Sequence, residues 1–156
     1  MNLEGQAAAY YWKRIFKNDI DTFKRGQFEE APNNLLNYGY TILRAITARA
    51  LVASGLLPTL GIHHHNKYNA YCLADDIMEP YRPFVDRLVL DLIFDKSKSE
   101  MELTKEIKTA LLKIPVLDVI INKKQSPLMV AMQQTTASLY KSMKEKNNLL
   151  KLPSFY

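Results

Sequence analysis

Glycine runs out early in this chain: five occur, the last is Gly61, and the 95 residues after it contain none. Folds built from many strands and tight turns lean on glycine for positive φ, so this scarcity argues against them and points to helices. Cysteine is all but missing. Cys72 alone closes no internal disulfide and builds no Cys-rich zinc site, which fits a reducing compartment and makes the cytoplasm the expected location. The longest apolar run, Ala50 to Leu57, is broken by Ser54 and Gly55 and falls far short of the ~20 residues that span a bilayer. Met1-Asn2-Leu3-Glu4-Gly5 has neither the basic start nor the apolar stretch of a signal peptide, so no membrane partner is expected.

Arginine is absent from residues 96–151, which hold eleven lysines against five Asp/Glu, whereas residues 1–95 hold ten Lys/Arg against eleven Asp/Glu. The net charge of +5 is therefore entirely C-terminal. Lysines without arginines suit a surface that tracks phosphates and reads no base edges, and Lys123-Lys124 is the densest such pair outside a helical pattern. A solvated surface is the plainer account of the same residues.

What is present is the balance of a chain that buries a core: 47% apolar and 24% charged residues over 156 positions, with no repeat and no linker. One all-α domain over residues 1–156 is expected. Leu3 to Phe16 reads as a first helix. Pro32-Asn33-Asn34 opens a second, in which Leu36, Tyr40, Leu43, Thr47 and Leu51 recur every three or four residues up to Ser54-Gly55. Leu57 to Asn69 is a loop. Helix returns from Ala70 to about Phe94, with a break and restart at Pro80 and Pro83. Ser99 and Glu102 have capping-box spacing and predict a helix from about 100 to 113, ending before Pro115. Val116 to Lys124 is β-branched enough for a short extended piece. Ser126-Pro127 predicts the cap and first residue of a terminal helix with Met132, Thr136, Leu139 and Met143 along one face.

His63-His64-His65 holds every histidine of the chain, and three adjacent imidazoles cannot all face a core. Asp75, Asp76 and Glu79 follow on a predicted helix, where Asp76 and Glu79 stand at i and i+3. Imidazole and carboxylates without thiolate suit a hard divalent ion, Mg²⁺ or Mn²⁺, although zinc also accepts these ligands. Taken singly each has a plainer role: Asp75 exposed to solvent, Asp76 paired with an arginine, Glu79 at a helix end, Glu4 in a first turn favoured by the helix dipole.

Four ordered motifs carry a resemblance. Glu4-Gly5-Gln6-Ala7-Ala8, Pro32-Asn33-Asn34-Leu35-Leu36-Asn37-Tyr38-Gly39-Tyr40, Gly61-Ile62-His63-His64 and Leu73-Ala74-Asp75-Asp76-Ile77-Met78-Glu79-Pro80-Tyr81-Arg82-Pro83 together resemble the CRISPR adaptation integrases, in a form like those accompanying type II systems. The match runs from Leu3 to about Asp91. It implies a metal-dependent DNA integrase or endonuclease that inserts spacer DNA into CRISPR arrays by transesterification. It implies Mg²⁺ or Mn²⁺ held by Glu4, His64 and Glu79, with Asp76, His63 and His65 as secondary ligands and Arg82 near the DNA. It further implies double-stranded spacer and repeat DNA as partners, a small ferredoxin-like partner subunit, and the homodimer of the full-length family. Because the glutamate stands at position 4, the chain is expected to be the isolated C-terminal catalytic domain without the family's N-terminal β domain, and to integrate poorly alone. The rival expectation is a helical module that binds DNA or protein without catalysis.

Overall fold

The computed structural model describes residues 3–16, 23, 25–26, 30–94 and 102–155. Helix α1 (Leu3–Ile15) is followed by the long α2 (Asn33–Ala53), whose apolar stripe is realised as expected: Leu36, Tyr40, Leu43, Thr47 and Leu51 are all buried. Around α2 pack α3 (Cys72–Met78), α4 (Arg82–Ile93) and α6 (Leu128–Glu145). At Gly39, α2 packs tightly on α4. A Cβ there would stand 2.6 Å from Val85 Cγ1, so only glycine permits this approach.

Pro80 and Pro83 act as their positions suggest. A 3-10 turn, Glu79–Tyr81, separates α3 from α4, and each proline sits in a first turn, where no N–H is missed. Between α4 and α6 lie α5 (Lys105–Leu111) and a second 3-10 turn, Ile114–Val116. An antiparallel hairpin of β1 (Asp118–Ile121) and β2 (Lys124–Pro127) follows.

Three expectations need correction. The fold is mostly helical rather than all-α, because the Val119–Ile121 stretch takes a register with Val119 and Ile121 buried and pairs with β2. The α5 cap is Thr104, whose hydroxyl accepts from the Ile107 N–H, and Glu102 stands outside the helix. Ser99 lies outside the described residues. Ser126 does not cap α6: it pairs with Val119 in the hairpin, Pro127 takes the cap position, and the Leu128 N–H bonds to Leu117 O at 2.7 Å.

Helix α6 buries Met132, Thr136 and Leu139, while Met143 is exposed where the helix leaves the core. Its hydroxyls seat the last residues of the chain. Ser142 Oγ accepts from the Leu149 N–H, Ser138 Oγ accepts from the Lys151 N–H, and Thr135 Oγ1 donates to Lys151 O. Ser154 then pairs with Ile120 on the free edge of β1, and Phe155 stacks on Phe84 of α4. Among the described residues no helix is long and apolar enough to cross a membrane.

Candidate active site

The loop before α3 is folded around one carboxylate. Asp76 Oδ2 accepts the backbone N–H of Ile62 at 2.5 Å and of His63 at 2.9 Å; Oδ1 accepts the His64 N–H at 3.1 Å and lies 2.6 Å from His64 Nδ1. Gly61 makes the wrap possible. A Cβ there would meet His64 O at 2.2 Å and Cys72 Cβ at 2.8 Å. Desolvation works to raise the Asp76 carboxyl, but the His63 N–H, the His64 ring and the His64 and Ile62 N–H groups outweigh it, so the group sits below the usual carboxylate range. An ionised Asp76 can only accept, so His64 Nδ1 carries a proton, and in the neutral ring Nε2 is the nitrogen with the lone pair.

Asp76 therefore supports a histidine, with both of its oxygens engaged by the loop, rather than pairing with an arginine. The His64 ring is held by Asp76; His63 and His65 are exposed, with the His63 ring edge-on to His64. Asp75 is also unlike its plain reading. It is buried, bonded to Arg44 Nε at 2.7 Å and Asn69 Nδ2 at 2.8 Å.

Glu79 opens the 3-10 turn one helical turn beyond Asp76, and its Oε1 lies 3.0 Å from a terminal nitrogen of Arg82. Both line a cavity of about 580 Å³ whose far wall is α1, through Ala7, Ala8 and Tyr11. The Arg82 guanidinium stands 4.8 Å from the centre of the Tyr40 ring, and its Nε is buried with no hydrogen-bond partner. Glu4 belongs to α1, one turn before Ala8 and two before Tyr11; its side chain lies outside the described part of the structure.

The donors suit the expected ion. A carboxylate-held imidazole and a glutamate together make a nitrogen and oxygen set that Mn²⁺ or Mg²⁺ accepts, with the support that metal-binding histidines use. Among the described residues no three His, Cys, Asp or Glu side chains group closely enough to hold a metal. His64 and Asp76 are thus brought together, Glu79 is placed a turn away, and the third donor lies outside the description.

Sequence reasoning missed Asp86. It is 1% exposed and accepts the hydroxyls of Tyr11, at 2.7 Å, and of Tyr40. Its signal was legible: Arg82, Asp86, Val89 and Ile93 recur at helical spacing, which puts a carboxylate on an apolar stripe. Also missed was Arg25, which donates to Asn33 Oδ1 and Asn37 Oδ1 and so gives the Asn33-Asn34-x-x-Asn37 segment a purpose. Lys123 and Lys124 are exposed at the tip of the hairpin, with Asn122 and Lys123 in left-handed conformation.

Fold and loop define a class, mostly helical domains that present a histidine held by a carboxylate. Comparison with known proteins narrows it. The family described as "CRISPR associated protein Cas1" matches residues 1–125. The CRISPR-associated endonuclease Cas1 of Neisseria meningitidis serogroup C (strain 8013) is 37% identical over 153 residues, covering 97% of this chain and 49% of that protein. A Cas1 endonuclease of Francisella tularensis subsp. novicida (strain U112) is 31% identical over 121 residues, covering 72% of this chain and 37% of its own. A solved casposase bound to integration product shares the fold, with a TM-score of 0.73 at 24% identity, over 92% of this chain and 47% of that one. The chain belongs to the Cas1 family, and it spans about half the length, or less, of these relatives.

Proposed function

We propose that this chain is the catalytic part of a CRISPR-adaptation integrase, a metal-dependent DNA endonuclease and integrase that inserts spacer DNA into a repeat array. The observation that carries the reading is the His64–Asp76 pair. A solvated loop histidine has no need of a carboxylate at 2.6 Å that is itself held by three backbone N–H groups, whereas a metal-binding histidine uses such support to fix its tautomer and aim. Membership of the Cas1 family, and 37% identity to a protein named as an endonuclease, support DNA as the substrate.

Glu4, His64 and Glu79 would hold one Mg²⁺ or Mn²⁺, with Asp76 behind His64. Bound there, the ion supplies Lewis-acid neutralisation of phosphate charge. The remaining work falls to the chain. Arg82, which lines the cavity and pairs with Glu79 through a terminal nitrogen, would offer its guanidinium to a phosphate oxygen. The reaction is an exchange: a spacer 3′-oxygen forms a bond to phosphorus as a repeat 3′-oxygen leaves, so the number of phosphodiesters is unchanged. Such a transfer depends on positioning and charge neutralisation more than on covalent help. Double-stranded spacer and repeat DNA, a small ferredoxin-like subunit and a second copy of the full-length protein are the partners that this reading entails.

Titrating Mn²⁺ into the chain and into Glu4→Ala, His64→Ala and Glu79→Ala tests it. Each substitution should weaken binding by tenfold or more. Equal binding by all four proteins would sink the metal site. The second reading, a binding module without catalysis, is favoured by the exposed lysines at the hairpin tip. It predicts DNA binding indifferent to chelator and no strand transfer.

A further inference from the structure

Helix α1 packs on the body through its C-terminal turns. Residues Gly5 to Tyr10 are exposed, while Tyr11, Trp12 and Ile15 are half-buried and Phe16 is wholly buried. An aromatic cluster of Trp12, Phe16 and Phe23 packs the C-terminal turns, with Phe16 and Phe23 ring centres 4.5 Å apart. This contact fixes where α1 ends, and position 4 lies seven residues, or ~10 Å of helix, from Tyr11.

At Tyr11 the helix meets a carboxylate with no apparent reason to be buried. Asp86 sits among Val85, Val89 and Phe84 on α4, 1% exposed. It accepts Tyr11 of α1 on Oδ2 and Tyr40 of α2 on Oδ1, so one side chain joins three helices. Burial holds its carboxyl above the ordinary range in spite of both hydroxyls and of Arg82 and Arg25 nearby. A buried carboxylate is a costly way to join helices that apolar residues join well, and such groups are retained where they specify a geometry.

We propose that Asp86 is a positioning residue: by accepting the Tyr11 hydroxyl while anchored to Tyr40, it sets how α1 stands across the cavity from Glu79, and so where position 4 of the helix lies. This rests on the metal reading above only for the role given to Glu4; the tie itself does not. Ionised Asp86 accepts both phenols at once. An asparagine presents N–H to one of them, so the near-isosteric change loosens the joint without opening a cavity.

The test uses the 156-residue chain with two readouts, hydrogen exchange of the amides in residues 5–12 and Mn²⁺ affinity by titration. Tyr11→Phe and Asp86→Asn should each speed exchange in α1 and weaken Mn²⁺ about tenfold, and the double variant should be little worse than either, since both remove one contact. Glu4→Ala should lose Mn²⁺ while keeping parental exchange. Parental exchange in Tyr11→Phe overturns the tie whatever Glu4→Ala does. Faster exchange with parental Mn²⁺ affinity overturns the positioning role, provided that Glu4→Ala is impaired. Parental affinity in Glu4→Ala instead overturns the metal reading, and exchange alone then judges the tie.

Discussion

Two walls of the candidate site, the loop that carries His64 and the helix that carries position 4, are held in different ways. The loop wall is made of backbone: three successive N–H groups close on Asp76, and the space at Gly61 excludes a Cβ. The helix wall is made of side chains: α1 exposes its first turns and meets the body through aromatic rings and the Tyr11–Asp86 bond. A wall made of backbone tolerates little change of shape, and one tied by a side chain tolerates little change of chemistry. Each should fail to its own kind of substitution.

The sharpest break is Gly61→Ala. Its Cβ would lie 2.2 Å from a backbone oxygen that cannot rotate away, so the loop must open and His64 must leave Asp76. Overpacking of this kind costs roughly 1–3 kcal/mol, and loss of histidine support costs ~10- to 100-fold in metal affinity. Gly55→Ala is the control. Gly55 has φ of +77° and nothing within 4 Å of a Cβ, so its change should cost about 1 kcal/mol of backbone strain and leave Mn²⁺ binding alone. Thermal melts with Mn²⁺ titration of both variants check the contrast. A Gly61→Ala protein that melts and binds as the parent does would mean the loop is not shaped around that glycine.

The helix wall is sharpened by pH. The groups facing Asp86 are Tyr11 of α1, Tyr40 of α2, Arg82 of α4 and Arg25 before α2. Burial dominates them and raises the carboxyl from 3.8 to about 6. The folded chain therefore takes up a proton in the window from about 6 down to about 4, where the unfolded chain does not, and lowering pH across it favours folding through this group. Two pKa units correspond to at most ~3 kcal/mol. The stability of the parent relative to Asp86→Asn should accordingly rise between pH 7 and pH 4, measured by urea unfolding at each pH. A flat difference would show that the carboxyl titrates normally and that no buried charge holds the wall.

The same division explains what could be read from the sequence. Periodicity delivered α2 and the restart at Pro83, because each is decided by apolar spacing or by a missing N–H within one segment. It failed where a distant residue decides. Ser126 has the chemistry of a cap, but its backbone is claimed by Val119 in the hairpin; Thr104 caps α5 while Glu102 stays outside the helix. At the site, the Gly61-x-x-His64 spacing and Asp76 were visible as chemistry, yet the role of Asp76 was not, since a carboxylate that faces an ion and one that faces a histidine look alike in one dimension. Asp86 stood on an apolar stripe, but Tyr11 and Tyr40, which explain it, lie 75 and 46 positions away.

The smallest expected effect lies outside both walls. Lys123 and Lys124 sit at an exposed hairpin tip, where Asn122 Nδ2 donates to Gln134 Oε1 and anchors the turn to α6. If they track a phosphate backbone, each contact releases counterions, and replacing both with alanine should flatten the slope of log affinity against log salt by about 2 on duplex DNA. The loss should be equal on unrelated sequences, since lysines at phosphates carry no base readout. Mn²⁺ affinity and α1 exchange should stay parental, because neither wall includes the hairpin. A parental salt slope would return these lysines to the solvated surface. A changed slope with unchanged metal binding would place DNA affinity and the metal site on separate parts of the molecule.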